Sequence, residues 1–354
     1  MLCDSLDHIL PDYVARYERE QVCVLTDERV ERLCGLPTCL RELPVLRLAM
    51  DESHKTIERV AQIWDFLFEH GITRHGLLIC IGGGVLTDMG GFAASTYKRG
   101  IDYLNIPTTL LAMIDASSGG KTGINYHGLK NSIGVFAPPA ATLIWPGWLK
   151  TLPAQEMLSG FGEMLKTGLV KEGSDKREET RNKSLWSELL RYDLDTMPLE
   201  SLTPLIEACV DAKERIVTAD PKEEGLRKVL NFGHTFGHAL EEVSIQKSEV
   251  RSQMLHGYAV LYGMIAELYL SVVKLGCPKE PLQQLTQLMI HTYGRPQCNC
   301  SNREQLVRLM QQDKKNERTA EINCTLLRDI GSPVINQRIS EDEAKEALEY
   351  LFSL

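Results

Sequence analysis

Residues 81–88 read Ile81-Gly82-Gly83-Gly84-Val85-Leu86-Thr87-Asp88, a glycine triplet between two apolar runs, Gly76 to Ile81 and Met89 to Tyr97. The pattern is that of a strand, a tight turn and a buried helix, with the first backbone N–H groups of the helix aimed at whatever lies beyond the strand. Such a turn suits the pyrophosphate of a dinucleotide, because a side chain in place of glycine would hold the phosphates away. The spacing is not the usual GxGxxG, so taken alone the triplet reads equally well as a structural turn. Two further strands are expected nearby. Gln21 to Leu25 precedes Thr26-Asp27-Glu28, and Asp102 to Ile106 precedes Pro107-Thr108-Thr109. In a doubly wound sheet, ligands bind beyond the carboxyl ends of parallel strands, where all three polar turns would lie.

Working outward, short apolar runs alternate with amphipathic ones over residues 1–150, which predicts an α/β doubly wound, dinucleotide-binding domain. From Leu152-Pro153 onward the periodicity turns helical, so residues 151–354 are expected to form a mainly α-helical domain. Within it, Glu172 to Ser184 and Gln246 to Gln253 are charged stretches expected as exposed loops or frayed helix ends. Thr319 to Leu327 alternates as a late strand, Gly331-Ser-Pro is a turn, and Ser340 to Leu354 closes as a helix. No internal repeat is evident.

The chain has 354 residues, of which 43% are hydrophobic and 25% charged, with a formal net charge of −9. These values suit a globular enzyme and argue against a general nucleic-acid binder, which needs a basic balance. No run of about 18 apolar residues is expected to span a bilayer. The start, Met1-Leu-Cys-Asp-Ser-Leu-Asp-His, lacks the order of a signal peptide, so no membrane partner and a cytoplasmic setting are the expectation. Ten cysteines lack any CxxC pair, and Cys298-Asn-Cys300 has the wrong spacing for a zinc ribbon, which predicts reduced packing thiols.

The helical half carries metal chemistry. Asn231-Phe-Gly-His234-Thr-Phe-Gly-His238 is followed by Leu255-His256-Gly257, and upstream Gly160-Phe-Gly-Glu163-Met-Leu-Lys166 offers a carboxylate. Two histidines and a carboxylate on helices form a familiar donor set. His234 and His238 share a helix face at HxxxH spacing, yet Thr235 stands where a zinc protease needs its glutamate. A pair of packed core histidines is the plainer alternative. Against it, Gly233 and Gly237 each cost about 1 kcal/mol inside a helix, which implies close approach to something. Gly119-Gly120-Lys121-Thr122-Gly123 ends like a P-loop, but the leading glycine would fall at Asp115. With Lys130-Asn131 it suits an anionic, sugar-like substrate, as do Lys166, Lys213, Arg227 and Lys314-Lys315.

Six segments in order resemble the 3-dehydroquinate synthases, within the sugar phosphate cyclases. They are GGGVLTDMGGFAASTYKRG (82–100), IPTTLLAMIDASSGGKTGIN (106–125), GFGEMLK (160–166), DPKEEGLRKVLNFGHTFGHALE (220–241), LHGYAVLYGM (255–264) and DKKN (313–316). The resemblance implies conversion of 3-deoxy-D-arabino-heptulosonate 7-phosphate to 3-dehydroquinate and phosphate, in a homodimer with NAD and one divalent metal, zinc or cobalt. By the same resemblance Glu163, His234 and His256 would be the metal ligands. NAD would touch Asp27, Glu52, Lys55, Gly83, Gly84, Val85, Asp88, Thr108, Thr109, Lys121, Lys130, Thr151 and Leu152. The phosphorylated sugar acid would meet Asp115, Lys121, Asn131, Lys166, Lys213, Glu223, Arg227, Asn231, His238 and Lys314.

Two departures stand out. Tyr258 occupies a position where many members carry glutamate, which takes away a carboxylate that could support His256. Leu129 stands where glycine is common. Two other readings share most motifs: a cyclase acting on sedoheptulose 7-phosphate or glucose 6-phosphate, and a non-catalytic relative that has lost a ligand or key lysine. Arg227 and the Asp115 to Lys121 loop favour the acid substrate, and every expected ligand is present.

Overall fold

A computed structural model of the chain describes residues 1–117, 119–127, 129–171, 185–247, 253–296, 298, 302–312 and 321–354. The chain divides into two compact units, Met1–Met157 and Leu158–Leu354. In the first, β1 (Val22–Asp27), β2 (Val45–Leu48), β3 (Leu77–Gly82), β4 (Asp102–Pro107) and β7 (Ala141–Thr142) form one sheet in the order β2-β1-β3-β4-β7. Every pairing is parallel. β1 and β3 are buried along their whole length, which explains their unbroken apolar runs: a strand covered on both faces has no solvent side to make polar. The helices of this unit are α1 (Leu6–Val14), α2 (Glu28–Cys34), α3 (Ile57–Glu69) and α4 (Gly84–Thr96). A separate antiparallel hairpin joins β5 (Lys121–Tyr126) to β6 (Leu129–Phe136).

The three strands expected from sequence are present. β2 was not anticipated, because four residues with an exposed Arg47 give no usable period. Its position matters all the same. From β1 the chain goes to β2 on one side and then to β3 on the other, so the carboxyl ends of β1 and β3 form the switch point of the sheet. Asp27 ends β1 and Gly82 ends β3.

The second unit holds most of α5 (Ala154–Val170), then α6 (Leu199–Ala219), α7 (His234–Lys247), α8 (His256–Leu275), α9 (Lys279–Leu288), α10 (Arg303–Gln311) and α11 (Glu341–Ser353). β8 (Ile322–Leu327) and β9 (Pro333–Ile339) pair as a hairpin. Ser340 caps α11 in a reciprocal box with Glu343, which fixes the start of the closing helix. Glu172 to Ser184 lies outside the described residues, as do 248–252 of the second charged stretch. One expectation needs correcting: α8 is long and apolar enough to cross a bilayer, and 67% of its apolar window is instead buried inside the protein. It is apolar because other helices surround it.

α8 is crossed at two places at backbone distance. A Cβ added to Gly257 would lie 1.7 Å from the Ser159 carbonyl oxygen on α5, and one added to Gly263 would lie 1.9 Å from the Gly233 carbonyl at the entry to α7. A Cβ at Gly233 or Gly237 would strike α8 in turn, against Met264 and Ala259. The close approach inferred from these two glycines is therefore to a neighbouring helix, not to a ligand. Glu267 of α8, fully buried, accepts from the N–H of Gly233 at 2.7 Å and of Thr235 at 3.3 Å, so it ties down the first turn of α7.

A methyl group at Gly257 cannot be accommodated without separating α5 from α8. Gly257→Ala is expected to lower stability by about 1–3 kcal/mol in urea unfolding, the cost of an overpacked core. Gly276, in the left-handed conformation after α8 with open space around it, provides the comparison: Gly276→Asn should change stability by less than about 1 kcal/mol.

Candidate functional site

Three helices of the second unit deliver one donor each. Glu163 lies in α5, while His234 and His256 are the first residues of α7 and α8. Their donor atoms lie within 4.8 Å of one another. His234 Nε2 is 3.6 Å and His256 Nε2 3.5 Å from the same carboxylate oxygen, Glu163 Oε1. These separations are long for hydrogen bonds. They match the roughly 3.3–3.4 Å between two ligands that each sit about 2.0–2.1 Å from a tetrahedral ion. The donor set thus fits a divalent cation such as zinc or cobalt.

The outward-facing nitrogens are also engaged. His234 Nδ1 lies 3.1 Å from the Phe232 carbonyl, and His256 Nδ1 lies 3.3 Å from Glu241 Oε2. With these partners accepting from Nδ1–H, both rings turn Nε2 toward Glu163. Burial works against a charge on His256, but hydrogen bonds to Glu163 and Glu241 override it and push its pKa up to about 10. The two carboxylates favour positive charge at this point. Glu163 Oε2 is 2.5 Å from Lys166 Nζ, and both residues are buried. Lys166 therefore meets the metal-site carboxylate directly. The His238 ring lies 5.2 Å from that of His234 and 6.0 Å from that of His256, on the same helix but outside the three-donor set.

The other expected substrate residues of this unit cluster on α6 and one loop. Lys213 is buried in α6. After α6, the Asp220 carboxylate accepts from the N–H groups of Glu224, Gly225 and Arg227. Hydrogen bonds from Arg227 and Gly225 hold that carboxyl below its usual range. The loop then folds on itself: buried Arg227 donates to the Pro221 carbonyl at 2.8 Å, and Asn231 Nδ2 donates to Glu223 Oε1 at 2.8 Å. Lys314 lies outside the described residues.

The first unit assembles a second set. Lys55 is buried, and its Nζ reaches Asp88 Oδ2 and Asn131 Oδ1, each at 2.5 Å. Asp88, Val85, Gly84 and Gly83 belong to the start of α4, whose N-cap is Gly83. Asn125 links the parts. Its N–H donates to the Lys55 carbonyl, its amide nitrogen donates to Glu52 Oε1, and its amide oxygen accepts from the Asn131 N–H, each at 2.8 Å. Asp27 caps α2 and pairs with Arg29 at 2.9 Å. Thr108 donates through its N–H to the Gly82 carbonyl, and Thr109 Oγ1 accepts from Ala112 N–H. Asp115 lies in a π-turn over Ala112–Ala116, Lys121 opens β5, and Lys130 lies in β6. Thr151 and Leu152 end a short turn, with Thr151 Oγ1 3.2 Å from Cys34 Sγ. The described cysteines are all free thiols.

Three residues in these networks were not anticipated: Asn125, Asp220 and Glu241. Asp220-Pro221 carries a turn signal, and Glu241 follows His234 by two helical turns, so both left some trace in the sequence. Asn125 left none.

Residues 45–159 match the model of the 3-dehydroquinate synthase N-terminal region, and residues 160–316 match that of its C-terminal region. The 3-dehydroquinate synthase of Parabacteroides distasonis is 39% identical over 355 aligned residues, covering 99% of this chain and 96% of that protein. That of Clostridium acetobutylicum is 35% identical, covering 95% and 90%. Among solved structures, 2-epi-5-epi-valiolone synthase from Streptomyces hygroscopicus, with NAD+ and Zn2+ bound, aligns with a TM-score of 0.78 at 27% identity, covering 99% and 95%. A 2-deoxy-scyllo-inosose synthase complexed with carbaglucose-6-phosphate, NAD+ and Co2+ aligns with a TM-score of 0.80 at 20% identity and the same coverage, a likeness of fold. With both halves matched in order and full-length relatives above 30% identity, the chain belongs to the 3-dehydroquinate synthase family.

Proposed function

We infer that the chain converts 3-deoxy-D-arabino-heptulosonate 7-phosphate to 3-dehydroquinate and phosphate, using NAD and one divalent metal. The observation that carries this reading is the Glu163, His234 and His256 donor set in a chain matched along its length by 3-dehydroquinate synthases. A divalent ion polarises a substrate hydroxyl and ketone, and NAD takes up a hydride and returns it within the turnover. The chain's own residues do the rest. Glu163, His234 and His256 hold the ion. Gly83, Gly84 and Val85, at the start of α4, receive the dinucleotide phosphates through their backbone N–H groups, with Asp27, Glu52, Lys55, Asp88, Thr108, Thr109, Lys130, Thr151 and Leu152 around the rest of NAD.

Lys121, Lys166 and Arg227 pair with the substrate carboxylate and phosphate, helped by Lys213 and Lys314. Asn131 and His238 hold reacting hydroxyls or the departing phosphate. Asp115, Glu223 and Asn231 complete the polar lining. A ketone formed at the carbon that gives up the hydride, with NAD bound, would acidify the neighbouring C–H, whose proton would be lost together with phosphate in an elimination. Return of the hydride to that carbon would then let the ring open and an intramolecular aldol step close the carbocycle. The reading carries with it a homodimer working in the cytoplasm. Sedoheptulose 7-phosphate and glucose 6-phosphate are less well suited, since neither has the carboxylate that Arg227 and Lys121 would neutralise.

Two outcomes are expected. Purified protein supplied with trace NAD should release phosphate from the seven-carbon sugar acid without net accumulation of NADH, and should release none from sedoheptulose 7-phosphate or glucose 6-phosphate. Release from sedoheptulose 7-phosphate alone would reject this substrate. His234→Ala should lower kcat/KM by at least about 10²-fold, the loss of several kcal/mol of charge stabilisation. Full turnover of that variant in the presence of EDTA would overturn the metal's role.

A further inference from the structure

A histidine that binds an ion through Nε2 must keep its proton on Nδ1, and something has to hold it there. For His234 that partner is the Phe232 carbonyl, supplied by its own chain two residues back. His256 has a different partner. Its Nδ1 meets Glu241 Oε2 at 3.3 Å while its Nε2 faces Glu163 Oε1 at 3.5 Å, and Glu241 is buried. One ligand is thus backed by a neutral dipole and the other by an anion. The anion polarises the ring more strongly and makes its free nitrogen the better donor.

No carboxylate reaches His256 from position 258, two residues on in the same helix, because that position lies on the other side of α8. In this chain that residue is tyrosine. The Tyr258 ring packs edge-on to Tyr293 at 5.0 Å, and the Tyr293 hydroxyl donates to the Leu158 carbonyl at 2.9 Å. The support comes instead from α7, the helix that begins with the other histidine ligand.

We propose that Glu241 is a positioning residue of the metal centre, fixing the tautomer and ring angle of His256 through its contact with Nδ1. The proposal rests on the reading of Glu163, His234 and His256 as metal ligands. Its test is Co2+ binding by the purified chain, followed by chelator competition and by the visible d–d absorption. The proteins compared are the unaltered chain, Glu241→Gln, Glu241→Ala and His234→Ala, with melting temperatures measured in EDTA. The unaltered chain should bind one Co2+ and His234→Ala none. Both Glu241 variants should bind roughly 10–100-fold more weakly, with an altered band shape and little change in melting temperature.

Equal affinity and identical bands in the unaltered chain and both Glu241 variants would overturn the proposal while leaving the ligand set standing. Weakening confined to Glu241→Ala and matched by a fall in melting temperature would mark a packing role and overturn it as well. An unaltered chain that binds no Co2+ would overturn the ligand set, and the proposal with it.

Discussion

Backbone touching backbone is the constraint from which the helical unit follows. Helices with ordinary side chains at their contact stand about 8–10 Å apart, and only small residues let them come closer. Gly257 meets Ser159, and Gly263 meets Gly233, with no room for a methyl group at either glycine. Each metal-site donor is the immediate neighbour of a glycine in such a crossing: Gly162 precedes Glu163, Gly233 precedes His234, and Gly257 follows His256. The size of the donor triangle is therefore set by main-chain contacts. Side-chain flexibility has little say, and that suits an ion whose ligand distances tolerate only small error.

The same economy governs charge. Buried Glu163 meets buried Lys166, buried Glu267 is answered by two backbone N–H groups, and in the other unit buried Lys55 is answered by Asp88 and Asn131. A buried charge contributes little net stability, and removing its partner is far more damaging than never having had the pair. These residues therefore constrain the geometry of their sites more than they stabilise the fold.

Much of this was legible in the sequence because it is written in local patterns. Apolar runs ahead of polar turns marked β1, β3 and β4, and the glycine triplet marked the start of α4, whereas the histidine spacing alone paired His234 with His238 and only the family resemblance singled out Glu163 and His256. Partners distant in sequence were harder to read. Gly233 and Gly237 showed that something comes close, but that it is α8 depends on Gly263 and Ala259, and nothing local says so. Asn125 looks like an ordinary strand residue until Lys55, Glu52 and Asn131 are folded around it. Glu241 carried the right helical spacing, yet its partner sits on another helix. That Lys166 also meets Glu163 was not visible in the sequence, because a contact three residues back looks like any surface pair until both residues are buried.

The two glycine-led helix starts show how far local pattern goes. Gly83 before α4 and Gly233 before α7 look alike in sequence: each precedes a helix whose first N–H groups need acceptors. At α7 the N–H groups of Gly233 and Thr235 donate to Glu267, whose negative charge offsets the positive end of the helix. At α4 the N-cap is Gly83, which makes no side-chain cap, so the start of this helix is the kind of turn that suits phosphate. A single carboxylate three turns into α8 thus makes the glycine turn before α7 a structural one.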